Sequence, residues 1–212
     1  MKNILLVGAH YDDVELGAGG SAAKWVDEGK NVYKITLTDT AVFSKDMGLN
    51  ITASSAKKNS ADAAKILGVI ELEFPTVAYG NLAYSQKIMQ KMEHIIREKE
   101  IDTCIFHFCD DYQTDHLGAH QICKTAARHC SNIMMFQSNP YILTQAFSPT
   151  YFVDITKYVD KKRKALSMYD AEHNRQGNLF ETNIKRNEVW GYGNHVSYAE
   201  GFMIIKMMEA KN

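Results

Sequence analysis

Asn3-Ile4-Leu5-Leu6-Val7-Gly8-Ala9-His10-Tyr11-Asp12-Asp13 is an apolar run that ends abruptly in a polar cluster, His10, Asp12 and Asp13. Ile4, Leu5, Leu6 and Val7 are unbroken by charge, the pattern of a central parallel strand buried on both faces. Glu15, Gly17, Gly19 and Gly20 follow, then a helical stretch over 21–28. Ligands of open α/β sheets bind just beyond the carboxyl ends of the strands. His10, Asp12 and Asp13 therefore stand where such a fold does its chemistry, and an enzyme is the leading reading.

Outward from this run, apolar segments alternate with amphipathic ones, as in βαβ units. The pattern predicts strands over 3–9, 32–38, 71–74, 103–108, 133–136 and 151–155, and helices over 20–28, 54–67, 85–99, 117–129 and 157–169. Ile88, Met92, Ile95 and Ile96 recur at the spacing of one buried stripe, and Gly68 stands where the preceding helix should end. Residues 174–195, with Asn174, Gly177, Asn178, Asn183, Gly191, Gly193 and Asn194, are the least periodic and read as a loop-rich cover over the site. The apolar pattern returns over 199–208. The expected fold is α/β: a three-layer, Rossmann-like single domain over 1–212, its mostly parallel sheet carrying helices on both faces.

The 212 residues are 45% apolar and 23% charged, ordinary for a soluble globular chain. A net charge of -1 gives no electrostatic case for nucleic acid or a membrane surface. No apolar stretch approaches the ~20 residues that span a bilayer, and Met1-Lys2-Asn3 does not lead into a signal peptide. Cys104, Cys109, Cys123 and Cys130 lack CxxC spacing and lie in or beside apolar segments, as buried thiols of a reducing compartment do. A cytoplasmic protein with a small-molecule partner is the expectation, with a homo-oligomer left open.

The run over 103–108 ends in a second polar cluster, Asp110-Asp111-Tyr112-Gln113-Thr114-Asp115-His116. In a parallel sheet it opens at the same edge as residues 10–13, so the two clusters face one another across a cleft. A catalytic zinc takes three protein ligands and keeps a position for water; His10, Asp13 and His116 satisfy that requirement. Asp12, beside a ligand on an extended chain, is placed to take a proton from the attacking water, chemistry suited to amide hydrolysis. Spacing alone leaves a structural turn open at 10–13 and a helix-start histidine at 116. His120 shares a helix face with His116 and is a further candidate ligand. Glu15 either braces the loop, contacts substrate or complements a helix N-terminus. Gly17, Gly19 and Gly20 suit backbone approach to a substrate or tight helix–strand packing equally. A dinucleotide loop is disfavoured, because residues 10–15 separate these glycines from the strand and their carboxylates repel phosphate.

Ala9-His10-Tyr11-Asp12-Asp13-Val14-Glu15, followed by Leu16-Gly17-Ala18-Gly19-Gly20, resembles the Ala-His-Pro-Asp-Asp-x-Glu signature of the LmbE-like, or PIG-L, zinc-dependent de-N-acetylases. Ile35-Thr36-Leu37-Thr38-Asp39 is similar to that family's second strand, Ala63 to Val69 to its helix end, Asp111-x-x-x-Asp115-His116 to its second metal motif, and Tyr198-Ala199-Glu200-Gly201-Phe202 to its C-terminal segment. The resemblance implies a hydrolase that removes an acetyl group from an amino sugar or amino-sugar conjugate, with Zn2+ or another divalent metal as cofactor. It implies His10, Asp13 and His116 as metal ligands, Asp12 as general base, and Asp115 as the residue that orients the following ligand or its loop.

The chain departs from that pattern in places. Tyr11 replaces a proline that would stiffen the turn, and is free to line the substrate pocket. Gln113 stands where many relatives carry a histidine; an amide cannot act as an acid, though it can donate a hydrogen bond to an oxyanion. His107 or His195 would then be the source of a proton. The alternative reading is a catalytically impaired metal- or sugar-binding member of the same fold. Lys57-Lys58-Asn59-Ser60 also differs from the Arg and Glu that relatives often carry there.

Overall fold

β1 (Asn3–Gly8) is buried along its whole length and pairs in parallel with β2 (Asn31–Thr36) and β6 (Thr103–His107), in a computed structural model that describes residues 1–46, 49–169 and 179–209. β5 (Ile70–Glu71) continues the sheet in parallel beyond β2, and β7 (Asn132–Phe136) beyond β6. β9 (Ala199–Lys206) then joins antiparallel to β7, and β8 (Tyr151–Asp154) antiparallel to β9, for a seven-stranded order β5-β2-β1-β6-β7-β9-β8. β3 (Val42–Ser44) and β4 (Leu49–Ile51) form a separate hairpin that the sequence pattern did not predict.

Successive side chains of a strand point to opposite faces, so β1 feeds two cores. Ile4 and Leu6 pack with Val14, Trp25, Leu67 and Phe202, while Leu5 and Val7 pack with Ile35, Met92, Phe106 and Ile122. α1 (Asp13–Asp27), α2 (Ala53–Leu67) and α5 (Val159–Leu166) cover the first face; α3 (Gln86–Glu98) and α4 (Thr114–Ala126) cover the second. The three-layer, mostly parallel α/β architecture expected from the sequence is the one observed.

Several boundaries differ from the sequence pattern. α1 starts at Asp13 rather than at residue 20, because its glycines are packing positions rather than a loop. A Cβ at Gly17 would overlap the Phe136 ring, and one at Gly20 would lie 2.8 Å from Ile155. The Gly20 amide donates to Glu200 Oε1 (3.0 Å), so it is committed within the fold. α4 starts at Thr114, placing His116 in its first turn. β5 is far shorter than the predicted 71–74, since the ladder ends with the Leu72 amide donating to the Lys34 carbonyl.

The expected loop over 174–195 is overturned by α6 (Leu179–Gly193); residues 174–178 lie outside the described residues. The inward stripe of α6 is Asn183, Ile184, Asn187 and Gly191. A stripe that buries two amides carries no apolar periodicity, yet Asn187 Oδ1 accepts from the buried Lys162 Nζ at 2.8 Å and Asn183 Nδ2 donates to the Ser138 carbonyl at 3.1 Å. Glu200, on β9, ties the same region together by accepting from Lys162 Nζ (2.7 Å) and from the Gly20 and Ser21 amides of α1. No helix among the described residues is long and apolar enough to cross a membrane.

Candidate active site

Because β1 and β6 are parallel neighbours, their carboxyl ends open side by side. The chain leaving β1 presents His10 and then Asp13 in the first turn of α1; the chain leaving β6 presents His116 in the first turn of α4. His116 Nε2 lies 3.2 Å from His10 Nδ1 and 3.2 Å from Asp13 Oδ1, and His10 Nδ1 lies 3.4 Å from Asp13 Oδ2. All three side chains are buried. A tetrahedral zinc with bonds of about 2.0–2.1 Å separates its ligand atoms by about 3.3 Å. The donor set fits such an ion in chemistry and in spacing.

Each of the two imidazoles is held from behind. Asp111 Oδ2 accepts from His116 Nδ1 (2.8 Å), and Asp115 Oδ2 from His10 Nε2 (3.1 Å). Carboxylates in this position fix ring orientation and raise ligand basicity. Asp115 thus orients His10 rather than the residue that follows it in sequence, and it also accepts the Gly80 and Leu82 amides (2.7 and 2.9 Å). Asp13 Oδ2 further accepts the His10 amide (2.6 Å). Burial opposes charge on His116, but Asp13 and Asp111 outweigh it and raise its pKa to about 10. Burial likewise opposes charge on His10, and Asp115 and Asp13 carry its pKa upward. The cluster holds positive charge tightly in a buried place.

His107 stacks on His116 (centroids 4.0 Å, 23° between planes), with Nε2 3.0 Å from the Ala9 amide and 3.1 Å from Asp13 Oδ2. Burial and the neighbouring His116 pull its pKa down to about 4. At neutral pH it is an uncharged wall of the site, not an acid. His120 bonds to the His107 carbonyl through Nδ1 (3.0 Å) and packs edge-on against Phe106; it stands outside the donor set. His195 is exposed in the turn after α6, at φ 59°.

Asp12 occupies the N-cap position of α1 and is buried, its carbonyl accepting the Leu16 amide. Hydrogen bonds replace the missing proline at Tyr11: its amide donates to Thr40 Oγ1 (3.1 Å), and its carbonyl accepts from Lys34 Nζ (2.7 Å) and Tyr169 Oη (2.8 Å). Glu15 braces this turn from below. Fully buried, it pairs with Lys34 Nζ at 2.7 Å, and burial, partly offset by Lys34, raises its pKa to about 7. Lys34 also donates to Ser60 Oγ (2.9 Å). The Tyr11 side chain lines a cleft of about 650 Å³ together with Asp39, Lys57, Lys65, Glu71 and Glu73. Lys57 is exposed there and paired with Glu73.

Gln113 is the N-cap residue of α4, but its side chain does not cap the helix. Its Nε2 donates instead to Tyr79 Oη (2.9 Å), and the Tyr79 ring leans on His10 (centroids 5.0 Å). The loop bearing Tyr79 sits close on α4, where a Cβ at Gly118 would overlap the Leu82 carbonyl oxygen. Tyr79, Lys34 and the orienting role of Asp111 are the functional candidates that sequence reading missed. Asp111 carried a signal, since it stands in the second polar cluster; Tyr79 carried none.

The model of the PIG-L family, described as GlcNAc-PI de-N-acetylase, matches residues 5–127, a span that holds both polar clusters. The chain belongs to the PIG-L family. An Escherichia coli K12 protein named as an uncharacterized deacetylase is 29% identical over 181 residues, covering 80% of this chain and 91% of that one. Among solved structures, an N,N'-diacetylchitobiose deacetylase from Pyrococcus horikoshii superposes with a TM-score of 0.81 at 20% identity, covering 96% of this chain and 84% of that one. The 4-carboxy-2-hydroxymuconate hydratase of Pseudomonas putida KT2440 superposes with a TM-score of 0.83, also at 20% identity, covering 100% and 99%. The PIG-L fold therefore serves proteins named for different reactions, and the site has to decide the chemistry.

Proposed function

We propose that this PIG-L family member is a divalent-metal-dependent de-N-acetylase that hydrolyses the acetamide of an amino sugar or amino-sugar conjugate. The observation that carries the reading is the His10, Asp13 and His116 donor set, with mutual separations of 3.2–3.4 Å, next in sequence to the carboxylate of Asp12. Zinc bound there would supply a coordinated water of near-neutral pKa and polarise the amide carbonyl. Asp12 is assigned the general-base role: it takes a proton as water oxygen bonds to the acyl carbon. The carbon–nitrogen bond then breaks as the proton held by Asp12 passes to the nitrogen, and acetate and a free amine result. Asp111 and Asp115 keep the two imidazoles oriented throughout. His107, held neutral, keeps the far side of Asp13 dry.

The cleft beside Tyr11 sets Asp39, Lys57, Lys65, Glu71 and Glu73 among apolar Val69, Leu72 and Phe74, a mixed lining that offers hydrogen-bond partners to sugar hydroxyls. The unbroken sheet from β5 to β8 supports one domain over 1–212, and four free thiols, with Cys104, Cys123 and Cys130 buried, support a reducing cytoplasm. The deciding experiment loads purified protein with zinc and measures acetate release from N-acetylglucosamine, its glycosides and chitobiose. Acetate release that a chelator abolishes and zinc restores is the expected result. Zinc uptake at one equivalent with no acetate released from any acetamido sugar would defeat the assignment and leave a binding protein.

A further inference from the structure

The centre as described has a metal site and a base but no assigned donor to the acyl oxygen, where negative charge develops during attack. Gln113 stands where the histidine of the resemblance pattern would stand, and its amide hydrogen is already given to Tyr79 Oη at 2.9 Å. That commitment has a consequence for the phenol. Its oxygen receives the Gln113 hydrogen, so its own O–H is left free for another acceptor. Among the described residues no protein group accepts it. Tyr79 is 37% exposed and open to a ligand, while its ring rests against His10 at 5.0 Å and 41°.

The surroundings hold this phenol still. The Tyr79 amide donates to Asp39 Oδ1 (3.0 Å), Val77 bridges in parallel to Thr38 beyond the end of β2, and the Gly80 and Leu82 amides are fixed by Asp115. Asp115 also holds His10. One carboxylate thus registers the Tyr79 loop against a metal ligand. Donors that are fixed before charge appears stabilise it without reorganisation.

We infer that Tyr79 is a catalytic residue of this site, its phenol O–H donating a hydrogen bond to the acyl oxygen as negative charge develops there, with Gln113 the positioning residue that aims it. The inference rests on the de-N-acetylase reading. It also changes the meaning of Gln113: the amide does not substitute for a lost acid but serves a donor that comes from another loop.

The test uses the zinc-loaded full chain with two readouts. One is acetate release; the other is calorimetric binding of glucosamine carrying an N-methylphosphonyl group, a tetrahedral anion in place of the acetyl. Tyr79→Phe keeps the ring on His10 and removes only the hydroxyl, and its zinc content and melting temperature should match those of the parent. It is expected to lower kcat by about 100- to 1,000-fold, the scale of losing one oxyanion donor. It should weaken the phosphonyl analogue by at least about tenfold, with KM changed by less than about threefold. Gln113→Ala should give a smaller loss of both, and the double variant should be no worse than Tyr79→Phe alone, since the two groups act as one unit. Analogue affinity and kcat within about threefold of the parent in Tyr79→Phe would overturn the assignment while leaving the de-N-acetylase reading intact. A parent that neither releases acetate nor binds the analogue would overturn both.

Discussion

Two of the buried polar clusters that lie against α1 differ in their charge balance. Beneath its middle, Lys162 Nζ donates to the Leu16 carbonyl, Asn187 Oδ1 and Glu200 Oε1, and Glu200 spends its remaining capacity on the Gly20 and Ser21 amides. At its N-terminus, His10, Asp13 and His116 meet with Asp12, Asp111 and Asp115 close by, so carboxylates outnumber the imidazoles that could neutralise them. The first cluster pairs one cation with one anion and satisfies both. The second has a surplus of negative charge and two ring nitrogens at 3.2 Å that can share only one proton. Burial of a charge is costly unless it is paired, so the unbalanced cluster is the one whose charge suits an incoming cation.

The largest expected effect strikes the unbalanced cluster. Asp13→Asn removes a ligand and the charge between the histidines, and should cut zinc-dependent turnover by about a thousandfold or more, the several kcal/mol that a bound Lewis acid contributes; metal analysis should find almost no retained zinc. Lys162→Met is the converse experiment. It strands Glu200 in the interior and should cost about 3–5 kcal/mol in urea unfolding, while zinc bound per folded chain stays the same. Equal loss of zinc in both variants would erase the distinction between the clusters.

Within the metal cluster, Asp12→Asn should lower kcat about 100-fold or more, as expected for a missing general base, with zinc content unaltered. Asp115→Asn removes the charge behind His10 and leaves an oxygen for only one of the Gly80 and Leu82 amides, which use different carboxylate oxygens. Zinc affinity, read by competition with a chromophoric chelator, should fall about 10- to 100-fold.

The same cluster gives the metal-free protein a pH dependence. The folded pKa of His116 is raised from 6.5 to about 10, so its contribution to stability is complete below pH 6.5 and is lost as pH rises toward 10. Unfolding midpoints of the metal-free protein should decline across that window. Zinc displaces the same proton, so the decline should flatten in loaded protein, and zinc titrated at pH 7 in buffers of different ionisation enthalpy should reveal proton release.

The two clusters were not equally legible in the sequence. β1 announced itself because a strand buried on both faces leaves an uninterrupted apolar run, and covalent order alone puts His10 and Asp13 at its tip. His116 was legible for the same reason at the end of β6. The balanced cluster was not. Lys162 and Glu200 lie far apart in sequence, and Asn183 and Asn187 bury amide groups on a helix whose inner face therefore reads as polar. Lys34 has the same problem: a lysine in β2 looks exposed until Glu15 and Ser60 are seen to enclose it. Tyr79 lies in an irregular loop, where no periodicity tells a side chain which way to face.

Position 118 lends this design an economy of its own. Where every other residue type would bring at least one carbon, α4 offers bare backbone, and the neighbouring segment settles onto it through the Leu82 carbonyl. The helix surface acts as a mechanical stop that sets how low the roof hangs over His10. One methyl added there would raise the roof, and with it both amides anchored on Asp115 and the phenol beside them. Reactivity would then be tuned from a point that meets neither metal nor sugar.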